Sequence, residues 1–136
     1  ELENLKDIFK QKGKLNKWVL YTCTSGYPIE AEEVCLMEIF KLKEIFQDSI
    51  SDYAFSGHHK GVAIDVAAYT LGATWIERHF TKDRTWKGTD HAASLEPDGM
   101  SRLDRDLKNL FLGLNYKSQD ILEIEESSRK KLKKIV

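Results

Sequence analysis

Histidine, carboxylate and hydroxyl side chains are concentrated just after short segments that have the composition of β-strands. Ser56 and His58 follow one such segment, and Glu77 and His79 lie near the end of the next. Because alternate residues of a strand point to the same face, each pair is expected to project to one side of a sheet. Two imidazoles and a carboxylate on one face suit a divalent metal ion such as manganese, zinc or iron. The spacing alone is equally compatible with histidines that serve as hydrogen-bonded packing residues, and with a Glu77 that pairs with Arg78 or Lys87.

Further polar side chains occupy similar positions elsewhere. The first strand segment is followed by Thr24, Ser25 and Tyr27, and the loop after the third contains Asp83, Asp90 and His91. Active sites of parallel α/β folds are built at the carboxyl ends of strands, so this convergence favours a functional site. His59 must point away from His58 if the strand continues, which predicts a structural or supporting role for His59. Asp83 and Arg84 are interpreted as a turn with a surface ion pair.

The spacing of apolar residues alternates between the periods of strands and helices, and this alternation is the main architectural signal. We predict strands at 17–24, 52–56 and 73–81, and helices at 1–12, after Pro28, after Gly61, from Pro97 and at about 118–134. The helix after Pro28 is expected to carry Cys35, Ile39, Leu42 and Phe46 on one face, and the helix from Pro97 to carry Leu103, Leu107, Leu110, Phe111 and Leu114.

In the third strand, Ile76 and Phe80 are expected to point to the helix layer, and Trp75 is interpreted as a core residue. Strands separated by helices imply parallel pairing with right-handed crossovers. A closed eight-stranded barrel typically has about 250 residues, whereas this chain has 136. The predicted fold is therefore α/β: a partial TIM-type (β/α) barrel of three parallel β/α units plus flanking helices, or a small open sheet.

Composition excludes several classes of protein. With 41% hydrophobic and 32% charged residues, the chain has the composition of a folded globular protein, and its net charge of -1 gives no footprint for nucleic acid. No apolar run is long enough to span a membrane. The two cysteines, Cys23 and Cys35, have neither the number nor the spacing of a disulfide framework or a zinc site, so reduced thiols in the cytoplasm are expected.

Four segments resemble the sialic acid synthase family. They are residues 23–28 (CTSGYP), 56–61 (SGHHKG), 71–81 (LGATWIERHFT) and 88–97 (GTDHAASLEP). The family's pattern is C-T-S/N-x-Y-P, then Y-S-D-H-T-x-G, L-G-A-x-x-I-E-K-H-F-T and G-P-D-H-x-x-S-L-E-P, in that order and with compatible spacing. The resemblance covers residues of about 18–114 and implies condensation of phosphoenolpyruvate with N-acetylmannosamine or a related amino sugar, giving a nine-carbon sialic acid and phosphate.

The resemblance also implies roles for individual residues. His58 and His79 would be the two protein ligands of a manganese or magnesium ion, and Glu77 would lie beside the metal-bound water. Ser25 and Ser56 would help to bind phosphoenolpyruvate. Tyr27 and Asp90 would contact the sugar, and Asp90 is expected to belong to the catalytic set with Glu77.

The chain departs from the family's pattern at four positions: Gly57 replaces aspartate, His59 replaces threonine, Arg78 replaces lysine and Thr89 replaces proline. The partner that would orient His58 is therefore expected to be missing or replaced by His59, and the sugar substrate is left open.

Nothing in these residues corresponds to the first half of the family's barrel or to its C-terminal antifreeze-like domain. We therefore expect residues 1–136 to be the C-terminal half of a catalytic barrel, inactive alone and prone to self-association through its open edges, within a homo-oligomeric enzyme. The alternatives are a non-catalytic α/β scaffold and a small metal-dependent hydrolase that uses His58, Glu77, His79 and Asp90.

Overall fold

The computed structural model describes residues 1–132, except for the side chain of Asp48. The helices are α1 (Leu2–Gln11), α2 (Glu38–Phe46), α3 (Ala63–Thr70), α4 (Pro97–Gly113) and α5 (Glu123–Leu132), and the strands are β1 (Val19–Cys23), β2 (Asp52–Ser56) and β3 (Trp75–Glu77). Short 3₁₀ turns lie at Ala31–Val34, Gln47–Ser49 and His91–Ala93. The predicted alternation of strands and helices is confirmed.

The three strands form one parallel sheet in the order β1-β2-β3. Cys23 is paired with Ser56, and Ser56 is paired with Glu77, so the carboxyl ends of all three strands lie side by side. The predicted α/β class and parallel pairing are thereby confirmed, and helices connect β1 to β2 and β2 to β3, as parallel neighbours require.

Helices cover one face of this sheet, and the core lies between them and the strands. One cluster of buried side chains is centred on Ile39, Phe55 and Ala68, with Ile76 packed against it. A second cluster contains Leu20 and Phe46. The face that points toward the helices is thus apolar, as one-sided burial of a sheet requires.

The opposite face of the sheet is open. Tyr21 is 41% exposed and Trp75 is 53% exposed, and their strand positions are both paired with Ala54. The interpretation of Trp75 as a core residue is therefore wrong for this chain. Since residues two positions further along project to the same side, Ser56 and Glu77 belong to this open face.

The helix expected after Pro28 is interrupted. A 3₁₀ turn at Ala31–Val34 is followed by Cys35 in the left-handed conformation (φ 50°), and α2 begins only at Glu38. Cys35 is exposed, whereas Ile39 and Phe46 are buried on α2. Apolar spacing from Cys35 onward matched a continuous helix, but a left-handed residue ends any right-handed helix.

The third strand is shorter than predicted, because it ends at Glu77. Phe80 is 55% exposed and does not reach the helix layer. Phe80 forms an isolated parallel bridge with Leu95, and the Leu95 amide donates to the His79 carbonyl at 2.8 Å. The segment before α4 therefore continues the parallel arrangement beside the end of β3.

The C-terminal helices differ from their predicted burial. Leu103 of α4 is buried, but Phe111 of α4 and Leu114, which directly follows the helix, are more than half exposed. The last helix begins at Glu123 instead of about 118, and the end of the predicted segment, 133–134, lies outside the described residues. None of the helices within residues 1–132 is long and apolar enough to cross a membrane.

Candidate active site

Two histidines and a glutamate meet at the carboxyl ends of β2 and β3. Glu77 is the last residue of β3, and His58 and His79 each lie two residues beyond the end of a strand. One ligand atom from each of these three side chains lies within 4.8 Å of the others. The parallel pairing of β2 with β3 places the strand ends side by side, so alternation along both strands brings these groups to one point.

His58 is buried, and a backbone contact fixes its ring. Its Nδ1 atom lies 2.9 Å from the carbonyl oxygen of Thr24. A carbonyl can only accept, so Nδ1 carries the proton and Nε2 keeps a lone pair, as a metal ligand requires. The expectation that the orienting partner of His58 is missing or replaced by His59 is wrong, because Thr24 supplies it from the loop after β1.

Glu77 is oriented by a neighbouring strand. The Ser56 hydroxyl donates to Oε2 of Glu77 at 2.6 Å, a short bond typical of a charged acceptor. The alternative pairing of Glu77 with Arg78 is wrong, since Arg78 points to the other side of the sheet and binds Asp65.

Tyr27 covers the two imidazoles. Its ring centroid lies 4.2 Å from that of His58 and 5.5 Å from that of His79, and the histidine rings are 5.1 Å apart. Tyr27 is 41% exposed and precedes a cis peptide bond to Pro28. The amide of Ile29 donates to the His58 carbonyl, which ties the Tyr27 loop to the end of β2.

Asp90 lies at the rim of the site. Its Oδ2 atom is 3.7 Å from Nδ1 of His79, too far for a hydrogen bond, and half of its side chain is exposed. An open cavity of about 510 Å³ extends from Glu77 and His79 to Phe80, Thr89 and Asp90. That volume lies within the range of small-molecule sites.

The sequence of this chain is similar to that of a known protein family. The profile of the NeuB family matches residues 1–119. The chain belongs to the NeuB family. The predicted membership of the sialic acid synthases is confirmed, since relatives that share most of its length bear that name.

Two relatives show what kinds of protein this NeuB-family chain is similar to. The chain is 38% identical to human N-acetylneuraminate-9-phosphate synthase, over 99% of its own length and 37% of the relative's. It is 37% identical to N,N'-diacetyllegionaminic acid synthase of Campylobacter jejuni, over 79% of its length and 31% of the relative's. The chain thus spans about a third of the length of these relatives.

Part of a solved sialic acid synthetase structure has a similar fold. The chain superimposes on N-acetylneuraminic acid synthetase from Leptospira borgpetersenii, in complex with citrate, with a TM-score of 0.74 and 29% identity. The superposition covers 96% of this chain and 45% of the other.

Ser25 follows Thr24, whose carbonyl contacts His58. It is exposed on the loop after β1, and its hydroxyl makes no hydrogen bond within the described part of this NeuB-family chain. Its role in binding phosphoenolpyruvate stays a prediction, as do the roles implied for Ser56, Tyr27 and Asp90.

The loop beside the site is held by hydrogen bonds within turns. Thr85 donates from its hydroxyl and its amide to Asp83, and these bonds lower the pKa of the Asp83 carboxyl. The predicted turn is therefore present, but the expected ion pair between Asp83 and Arg84 is wrong, because Arg84 pairs with Glu96 at 3.3 Å.

A buried polar cluster behind the site was not predicted. Asp65 of α3 is fully buried and accepts from Arg78 at 2.7 Å, and His59 lies against both. A charged residue inside the apolar stretch of α3 was the available signal, because buried carboxylates require a partner. The supporting role predicted for His59 agrees with its position on the face opposite His58.

Proposed function

We propose that this NeuB-family chain forms the metal-binding part of an enzyme that condenses phosphoenolpyruvate with an N-acetylated amino sugar to give a nine-carbon sialic acid and phosphate. The convergence of His58, Glu77 and His79 beneath Tyr27 carries the proposal. The names of the relatives, which are synthases of three kinds of sialic-acid-like product, support the reaction class.

The three side chains fit a divalent ion such as manganese or magnesium. The free Nε2 of His58 and a nitrogen of His79 would be the two protein ligands, and a carboxylate oxygen of Glu77 lies close enough to accept from a water bound to the same ion. Such a mixed set of N and O donors suits manganese better than magnesium. Such an ion, when bound, would supply Lewis-acid polarisation of the sugar aldehyde.

The chain's own side chains supply orientation and proton handling. Glu77, whose carboxylate is held by Ser56, is placed to take a proton from the water that adds to the former enol carbon before phosphate leaves. Asp90 lines the open cavity, and the partly exposed ring of Tyr27 lies beside His79, one of the cavity's lining residues. Hydroxyl and acetamido groups of a sugar would need polar and aromatic partners of this kind.

We further propose that the sheet is three-eighths of a TIM-type barrel, in line with the predicted C-terminal half of a catalytic domain. The face that carries Tyr21, Trp75 and Glu77 is free of helices, and it would be the interior of the closed barrel. The chain matches about a third of its relatives' length, so activity belongs to the complete polypeptide that contains residues 1–136.

Phosphate release by the complete polypeptide tests the function. Phosphoenolpyruvate and manganese would be supplied with N-acetylmannosamine, with its 6-phosphate, or with no sugar. The condensation adds three carbons before C1 of the sugar, so C6 of the sugar becomes C9 of the product. A 9-phosphate product therefore requires a 6-phosphate substrate, and the relatives' names favour that sugar. We expect phosphate release that depends on both substrates. Release without any sugar would contradict the proposal and favour a hydrolase.

A further inference from the structure

The geometry points to Arg78 as a positioning residue that sets the relative placement of the two metal-binding histidines from behind the sheet. Arg78 acts together with Asp65 and His59, and the inference rests on the proposed metal site. Arg78 precedes His79 in the chain, as His59 follows His58. Each positioning residue is therefore one peptide bond away from a residue of the site and points to the opposite face.

The guanidinium group of Arg78 joins three segments of the chain. Its Nη2 donates to the carbonyl of His59 at 2.7 Å and to that of Ala93 at 3.4 Å. Its Nη1 donates to the carbonyl of Gly61 at 2.9 Å and to Asp65 Oδ2 at 2.7 Å. One planar group thus fixes the backbone that carries His58, the turn next to Asp90 and the start of α3.

These contacts control the distance that a metal site needs. His58 and His79 follow different strands, and the pairing of β2 with β3 ends at Ser56 and Glu77, so no ladder hydrogen bonds join the two histidine positions directly. Metal ligands have to be held within about 0.5 Å of the required geometry. The Arg78 bonds to the His59 and Gly61 carbonyls provide that restraint across the gap between the two loops.

The cluster is a poor source of stability. Within the described residues, His59 Nδ1, Asp65 Oδ1 and Arg78 Nε are buried without a hydrogen-bond partner. A buried ion pair with unsatisfied atoms contributes little net stability compared with apolar packing. Its location directly behind the site is better explained by positioning than by stability.

Three of the four departures from the family's pattern meet in this cluster. A Cβ atom on Gly57 would lie 2.9 Å from the His59 ring and 3.0 Å from Asp65 Oδ1. The missing side chain at Gly57 therefore makes room for the His59 ring, whose Nε2 lies 3.1 Å from Nη1 of Arg78. Gly57, His59 and Arg78 form one mutually adjusted set around Asp65.

Manganese affinity tests the inference. Lysine stands at this position in the family's pattern, but there it accompanies aspartate and threonine at the positions of Gly57 and His59. In this chain, within the complete polypeptide, Arg78→Lys keeps the charge but has too few donors, in the wrong geometry, to hold the Asp65 carboxylate and the three carbonyls together. We expect its dissociation constant for Mn²⁺, measured by electron paramagnetic resonance, to rise about tenfold or more, the range for partners that orient ligands. Arg105→Lys, on the surface beside Asp106, is the matched control and should stay within twofold of wild type. A folded Arg78→Lys that binds as wild type does would overturn the inference.

A metal-free readout separates this inference from the metal proposal. In the apo polypeptide labelled with ¹⁵N-histidine, Arg78→Lys should shift or broaden the ring signals of both His58 and His79. If Arg78→Lys does not fold, Asp65→Asn, which removes the anchor of Arg78 at constant volume, should give the same changes. Wild-type protein that binds no manganese would refute the metal site alone. Unchanged ring signals in the folded variant would refute the positioning role.

Discussion

A histidine and a carboxylate lie on each of two faces at the ends of β2 and β3. The site face has His58, Glu77 and His79, and the rear face has His59 and Arg78 with Asp65 packed against them. The same kinds of side chain have different partners on the two faces. His58 and His59 are adjacent and each is only 2% exposed. The ring of His58 has one nitrogen on a backbone carbonyl and the other turned toward Glu77 and His79. The ring of His59 lies between the charged groups of Arg78 and Asp65.

The carboxylates differ in the same way. Glu77 is half-buried, accepts a hydrogen bond from the Ser56 hydroxyl and faces the open side of the sheet. Asp65 is fully buried against the guanidinium group of Arg78. Burial and residue type are therefore poor guides to which face does chemistry. The feature that distinguishes the two faces is charge pairing. The site face has more potential ligand atoms than positively charged side chains, whereas on the rear face Arg78 already pairs with Asp65.

Removal of the Asp65 carboxylate should cause the largest change, a loss in the free energy of unfolding. Asp65→Ala leaves the Arg78 guanidinium buried without its anion, which typically destabilises a protein by about 3–5 kcal/mol. Asp104→Ala, which breaks an exposed pair with Lys108, should change the free energy of unfolding by no more than about 0.5 kcal/mol. Urea unfolding of the complete polypeptide measures both. Equal losses would mean that Asp65 is not paired as described.

Removal of a ligand on the site face should affect binding and leave the fold intact. His79→Ala is expected to weaken manganese binding by at least about 100-fold, since loss of an orienting partner alone costs 10–100-fold. Its melting temperature without metal should stay close to that of wild type, because His79 is partly exposed and makes no hydrogen bond of its ring within residues 1–132. Calorimetric titration checks the claim, and equal binding by variant and wild type would remove His79 from the ligand set.

The site face was predictable because its residues follow strands whose period is two. Ser56 with His58 and Glu77 with His79 needed only the positions of β2 and β3, and β2 is observed where the apolar pattern places it. The identity of the orienting partner was not predictable. Thr24 acts through its backbone carbonyl, which any residue possesses, so the sequence has no signal for it.

The rear face and the element ends were less predictable for a different reason. Apolar spacing measures periodicity, not backbone conformation, so it could not detect the left-handed Cys35 that divides the helix after Pro28. The alternation that directs Ile76 to the helices also directs Trp75 to the opposite face, but it could not show that this face is exposed. The Arg78–Asp65 pair joins positions thirteen residues apart on different elements, and pairing of that kind depends on the packed structure.

Filling the space behind the site should have an intermediate effect. In Gly57→Ala the new methyl group would come within 2.8 Å of the Phe55 ring and 2.9 Å of the His59 ring. Overpacking of this kind costs about 1–3 kcal/mol. Gly113→Ala is the control, because nothing lies within 4 Å of its Cβ position. Thermal unfolding compares the two, and a Gly57→Ala protein as stable as wild type would show that the cluster adapts without strain.

The smallest effect is expected when the Ser56 hydroxyl, which orients Glu77, is removed. Ser56→Ala removes the 2.6 Å bond to Oε2 and should lower the free energy of unfolding by about 1 kcal/mol, because the group is half-buried. Thr74→Val removes a comparable hydroxyl–carboxylate bond to Asp52 at the other end of the sheet. Only Ser56→Ala should also weaken manganese binding, by about tenfold at most. If both variants left manganese affinity unchanged, the Ser56 hydroxyl would not orient the Glu77 carboxylate for the metal site, and its bond to Glu77 would contribute to stability alone.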